Sequence, residues 1–153
     1  MGTGRLSSAA LAAALGMGAA VQGATPYGFT VHVTLSPRAA ARLAATRTPL
    51  EVVAYYDGDP APGQDRHADD TTGQIEMGTE HVRLPASGNA VVTGSAVKAE
   101  RLKWVKPGTL AMYVNVNTVT MAGIPLTCLP LPAGTMKAVA GRTFNVTCKI
   151  SGE

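Results

Sequence analysis

Two cysteines, three histidines, a run of aspartates and one tryptophan set among lysines and arginines are the residues here whose types and spacing invite chemistry. Cys128 and Cys148 are too far apart in sequence for a Cys-x-x-Cys redox or metal pair. Cys128 is in phase with Leu126, and Cys148 with Val146 and Ile150, so both point inward and a structural disulfide is expected. Closing a loop of about 20 residues contributes roughly 3 kcal/mol in chain-entropy terms.

The histidines, His32, His67 and His81, are scattered, without a His-x-His pair. Met77 and His81 would share one face of a strand, about 13 Å apart along it. Thioether and imidazole ligands suit copper, so a metal or small-ligand carrier using His67, His81 and Met77 is one alternative. Polar surface histidines are the favoured reading, and no metal or cofactor is expected. Asp57, Asp59, Asp65, Asp69 and Asp70 fall within 57–73 and offer oxygen donors for Ca²⁺. They lack the Asp-x-Asp-x-Asp-Gly run with its later Glu, and Arg66 and His67 interrupt them. They read as a solvated loop that can meet a partner.

Catalytic patterns are weak. There is no Gly-x-Ser-x-Gly elbow and no phosphate or dinucleotide fingerprint. The best acid pair, Glu76 and Glu80, is four residues apart around Gly78, and a single tryptophan offers little for sugar stacking. The chain is therefore expected not to be an enzyme. The segment Lys98–Lys106, KAERLKWVK, places Lys98, Arg101, Lys103 and Lys106 around Trp104. Tryptophan and arginine dominate binding hot spots, because a rigid ring and a forked cation bury area at modest entropic cost. Arg101, Lys103, Trp104 and Lys106 are accordingly candidate partner contacts, together with the five aspartates. The competing reading puts Leu102 and Trp104 on the inward phase of a strand, with Arg101 and Lys103 solvated opposite.

These side chains must be held by β structure. Tyr27 to Leu35 alternates, with Phe29, Val31, Val33 and Leu35 on one side. Ser36-Pro37 then reads as a helix start, and 38–45 as one or two helical turns ended by Pro49. Leu50 to Tyr56 is a second strand and 57–73 a long loop; loops this long in compact domains carry function or move. Gln74 to Met77 and Glu80 to Leu84 form a hairpin or a bulged strand around Gly78. Pro85 to Asn89 is a turn, and Ala90 to Val97 a strand. Leu110 to Met121 alternates clearly. Ile124 to Leu131, broken by Pro125 and Pro130, reads as an edge strand, and Arg142 to Ile150 closes the chain. Seven or eight strands, one short helix and no βαβ alternation predict an all-β antiparallel sandwich of immunoglobulin- or transthyretin-like architecture. A small closed barrel is the alternative.

Met1 to Ala24 carries Arg5, an apolar run from Ala9 to Val21 and a small-residue end, Gly23-Ala24. It reads as a signal peptide, because an apolar core of about 13 residues is short of the roughly 18–20 that span a bilayer. The expected domain is 25–153, periplasmic or secreted, an oxidising setting in which disulfides persist. Beyond residue 24 there are 12 basic and 10 acidic residues. No basic stripe with aromatic interleaving dominates, which argues against nucleic acid, and no mature segment is expected to span a membrane. The preferred role is an exported binding protein, an inhibitor or immunity-type partner of another envelope or extracellular protein. A structural accessory of a surface assembly is a further alternative.

Overall fold

The computed structural model describes residues 25–119 and 124–153. The leader expected at 1–24, and the end of the strand expected to reach Met121, lie outside the described residues. The chain runs β1 (Phe29–Leu35), α1 (Pro37–Thr46), β2 (Leu50–Gly58), β3 (Ile75–Leu84), β4 (Gly88–Val92), β5 (Ala111–Thr118), β6 (Leu126–Leu129), β7 (Ala133–Thr135), the single turn α2 (Met136–Val139) and β8 (Thr143–Ile150). Two 3-10 turns, Asp65–His67 and Ala99–Trp104, lie in the long connections.

The strands form two four-stranded sheets, ordered β4-β1-β8-β6 and β3-β2-β5-β7. Their inward rows meet in one apolar cluster. Phe29, Val31, Val33, Val92, Val146 and Cys148 come from the first sheet, and Leu50, Val52, Tyr56, Ile75, Met112 and Val114 from the second. Each buried aliphatic of this kind stabilises the fold by about 1.5–3 kcal/mol relative to exposure. The cause is the period-two pattern of β1, β2, β5 and β8, which puts every second residue inside.

The helix begins as its sequence dictates. The Ser36 hydroxyl accepts from the Ala39 amide at 3.1 Å, Pro37 occupies the first turn, and Arg47 ends the helix in the left-handed region. Ala39 and Leu43, one turn apart, are its buried face.

Four expectations change. The sheets are not wholly antiparallel, because β1 runs parallel to β8 from Thr30↔Thr143 to Leu35↔Cys148. β4 ends at Val92, with a turn at Gly94 where Ala90 to Val97 was expected to stay extended. The stretch after Pro132 contains β7 and α2, where only a connection was expected. Residues 99–104, extended in the competing reading of Trp104, are a 3-10 turn. The alanine, glutamate, arginine, leucine and lysine of that segment are good helix formers, a signal that the strand phase masked. Around Gly78, where a hairpin or a bulged strand is expected, the bulged strand forms.

That bulge reorients the strand. Tyr56 pairs with Gly78 and Asp57 with Glu76, so Met77 is the extra residue. One inserted residue reverses which side chains face inward. Ile75 and Met77 point into the core before it, Val82 and Leu84 after it. Gly78 has φ +143°, and a Cβ there would collide with the backbone carbonyl oxygen of Ala96, so glycine is required.

Cys128 and Cys148 are register partners across β6 and β8 and are joined, with S–S 2.07 Å. The staple fastens a four-residue strand at the sheet edge, and Pro125 and Pro130 flank it as edge prolines do. Among the described residues no helix is long and apolar enough to cross a membrane.

Candidate functional site

The loop between β2 and β3 turns at one end of the second sheet, and the connection that crosses from β4 of the first sheet enters β5 at that same end. There, the end of β2 lies beside the starts of β3 and β5. The two stretches are laced together by backbone. Pro60 bridges Val105, the Ala61 amide donates to the Trp104 carbonyl at 2.7 Å, and the Lys106 amide donates to the Asp59 carbonyl at 2.8 Å. Gly58 permits this closeness, since a Cβ there would strike the Val105 side chain.

Side chains complete the joint. The His67 ring lies flat on the Trp104 indole, with centroids 3.9 Å apart and planes at 6°. Lys103 Nζ is 5.4 Å from the indole centroid, a cation–π distance. With three residues per 3-10 turn, side chains three apart align, so Arg101 shares a side with Trp104, not with Lys103 as a strand would require. Arg101 donates from its guanidinium to the Glu76 carbonyl at 2.7 Å, the Lys98 amide donates to the Met77 carbonyl, and Lys98 Nζ is 3.6 Å from Glu76. Arg101 therefore anchors the turn to β3. Trp104 does not plug the core: it is half-buried, packed against the core's margin.

The expected contact residues are thus brought to one end, but not in one role. Lys103, Lys106, Asp59, Asp65 and Asp70 are exposed and form a rim of mixed sign. Asp69 shapes its own loop, for Oδ1 accepts from the Thr71 and Thr72 amides, both at 2.9 Å. Those bonds to the charged form hold its carboxyl below the usual carboxylate range. Asp57 is half-buried at the end of β2. Desolvation, and then the charge of Asp59, push its carboxyl above that range.

The carrier set does not assemble. Met77 is fully buried on the inner face. His81 lies beyond the bulge on the outer face, with Nδ1 3.4 Å from Glu51. His67 is committed to Trp104, and His32 bonds Asn89 at 2.6 Å on the other sheet. The bulge is the physical reason that Met77 and His81 part, against the expectation that they share a face. Glu76 and Glu80 part in the same way. Glu76 is exposed, whereas Glu80 accepts from the Thr93 and Gly94 amides at 2.7 and 2.8 Å and ties β3 to the chain leaving β4.

Sequence reasoning missed the pair Tyr55 and Tyr113. They are register partners on the outer face of the second sheet, stacked with centroids 4.7 Å apart and planes at 11°. Their pairing depends on the alignment of β2 with β5, which no local pattern states. Compared with models of known protein families, with curated proteins and with solved structures, the chain matches none.

Proposed function

We propose that this chain is an exported binding module acting by protein–protein contact, an inhibitor or immunity-type protein of the periplasm or extracellular space. Its contact surface is the end built from 57–73 and 98–106. The observation that carries the reading is the His67–Trp104 stack, which fuses two separate segments into one pre-formed surface. A loop already ordered before binding loses less entropy on association. A half-exposed tryptophan within a mixed-sign rim combines the anchor and the steering charges that protein interfaces use. Export is supported by the disulfide, which persists in oxidising compartments. We further read the paired sheets as a β-sandwich of immunoglobulin- or transthyretin-like kind, with their shared core as support.

Photo-crosslinkers at Lys103 and Asp70, tested in the organism that makes the protein, are expected to capture one covalent partner. A crosslinker at Asn145, on the outer face of the other sheet, is expected to capture none. Trp104→Ala, with melting temperature checked, should weaken that partner by tenfold or more, about 1.4 kcal/mol at 25 °C. Equal capture from Asn145, or none anywhere, overturns the reading. Recovery of the native protein from the cytosol, with an intact N-terminus and both thiols reduced, overturns its location.

The edge strand β6 favours a second reading, an accessory of a surface assembly. Leu129 is 63% exposed there, and open edges recruit further strands. Concentration-dependent self-association in sedimentation, lost on Leu129→Lys, is its signature.

A further inference from the structure

Beside the contact end, on the outer face of the second sheet, lies an open groove of about 200 Å³ lined by Tyr55, Tyr113, Asp57, Asp69, Thr72 and Glu76, among others. We propose that this groove is a socket for a guanidinium group, an arginine side chain presented by a partner protein. The proposal deepens the binding reading above and rests on it for the origin of the arginine, though not for the chemistry of the socket.

The register of the sheet builds the site. Tyr55 and Tyr113 face each other across β2 and β5, and Asp57 follows Tyr55 by two residues on the same outward row. Glu76 is the partner of Asp57 across β3. The loop brings in Asp69, whose two amide bonds both fall on Oδ1 and leave Oδ2 without one. Among the described residues, no lysine, arginine or histidine stands in ion-pair contact with Asp57 or Asp69, while Lys98 serves Glu76. Asp57 is therefore a half-desolvated carboxylate with a second carboxylate near it and no ion-pair partner of its own, the Lys98 and Arg101 cations beside the groove being held by Glu76.

The kind of cation follows from spacing and surroundings. Among the described residues, no three His, Cys, Asp or Glu side chains converge closely enough to hold a metal ion. These carboxylates share a groove without meeting at a point, which suits a larger, spread cation. Guanidinium is planar and weakly hydrated, lies against aromatic rings, and presents forked donors that match a carboxylate. An ammonium is compact and strongly hydrated, and gains less from the tyrosines. The groove has the volume of roughly seven waters, room for the head group and part of its stem.

The test is a titration of the full disulfide-bonded chain, followed by NMR of the tyrosine rings and aspartate carboxyls. The probe is N-acetyl-arginine methylamide, compared with the lysine analogue and with calcium chloride at matched ionic strength. The arginine compound is expected to saturate the Tyr55, Tyr113 and Asp57 signals with Kd of about 1–10 mM, and to move the Asp57 titration to lower pH. Asp57→Asn should weaken binding at least tenfold and Tyr113→Ala severalfold, with each fold verified by melting. Glu153→Gln, remote in the sequence and outside the groove, should leave binding unchanged. No saturation by the arginine compound, an equal response to lysine, or saturation of the same signals by calcium at lower concentration each overturns the socket. Saturation by arginine alongside failed crosslinking at Lys103 and Asp70 upholds the socket and removes only the larger reading.

Discussion

Asp57 shows how one carboxylate records its surroundings. Its carboxyl titrates above the usual range because burial disfavours the charge and Asp59 repels it. A carboxylate whose pKa rises on folding costs stability at pH values above that raised pKa. The cost disappears as pH falls through it and below the unfolded value. Asp57→Asn is therefore expected to raise the melting temperature at pH 7, with the gain vanishing in acid, where both side chains are neutral. Thermal melts of the two proteins across pH check this. Asp69 has the opposite sense. Two backbone amides favour its charged form, so its support for the turn is present above the ordinary carboxylate range and lost as acid protonates it. Because Asp69 is exposed, the effect is local, and Asp69→Ala is expected to speed hydrogen exchange at the Thr71 and Thr72 amides.

At the scale of elements, β3 and β6 each carry one local device, a bulge and a disulfide. The bulge in β3 needs Gly78, since any Cβ meets the Ala96 carbonyl. Gly78→Ala is expected to cost about 2–5 kcal/mol through backbone strain and overpacking, measured by urea unfolding. It should also shift the amide resonances of 94–98, which lie against the bulge. β6 is four residues long, pairs with β8 and is pinned to it by the Cys128–Cys148 bridge. Replacing both cysteines with alanine removes a cross-link spanning 20 residues and is expected to cost roughly 3 kcal/mol. The His67–Trp104 stack should survive, because no contact of that joint involves β6. Trp104 emission, as the chain holds one tryptophan, reports on this directly.

At the scale of the whole molecule, both sheets bury their inner rows in one cluster, so neither keeps a core without the other. Urea unfolding is expected to be a single transition, coincident by far-ultraviolet circular dichroism and by Trp104 fluorescence. Separate transitions would mean that the end carrying Trp104 opens independently of the sheets. The molecule also sorts its charge. Val, Leu, Met and Cys fill the inner rows, Thr and Asn cover much of the outer face of the first sheet, and the aspartates gather with Lys103 and Lys106 at one end. Contact chemistry is concentrated where the β2–β3 loop and the connection arriving from β4 meet at one end of the second sheet.

The sequence by itself determined what depends on neighbours along the chain. Alternation in β1, β5 and β8 assigned their inward residues, because a strand's side chains have period two. Ser36-Pro37 announced α1, and the phases of Cys128 and Cys148 pointed both sulfurs inward. Tertiary structure decided what depends on register and on contacts between distant segments. It made β1 parallel to β8, split Met77 from His81 with one inserted residue, laid His67 on Trp104 and set Tyr55 beside Tyr113. Each of these joins residues whose proximity follows from how strands align and loops fold back, and no local pattern encodes that alignment.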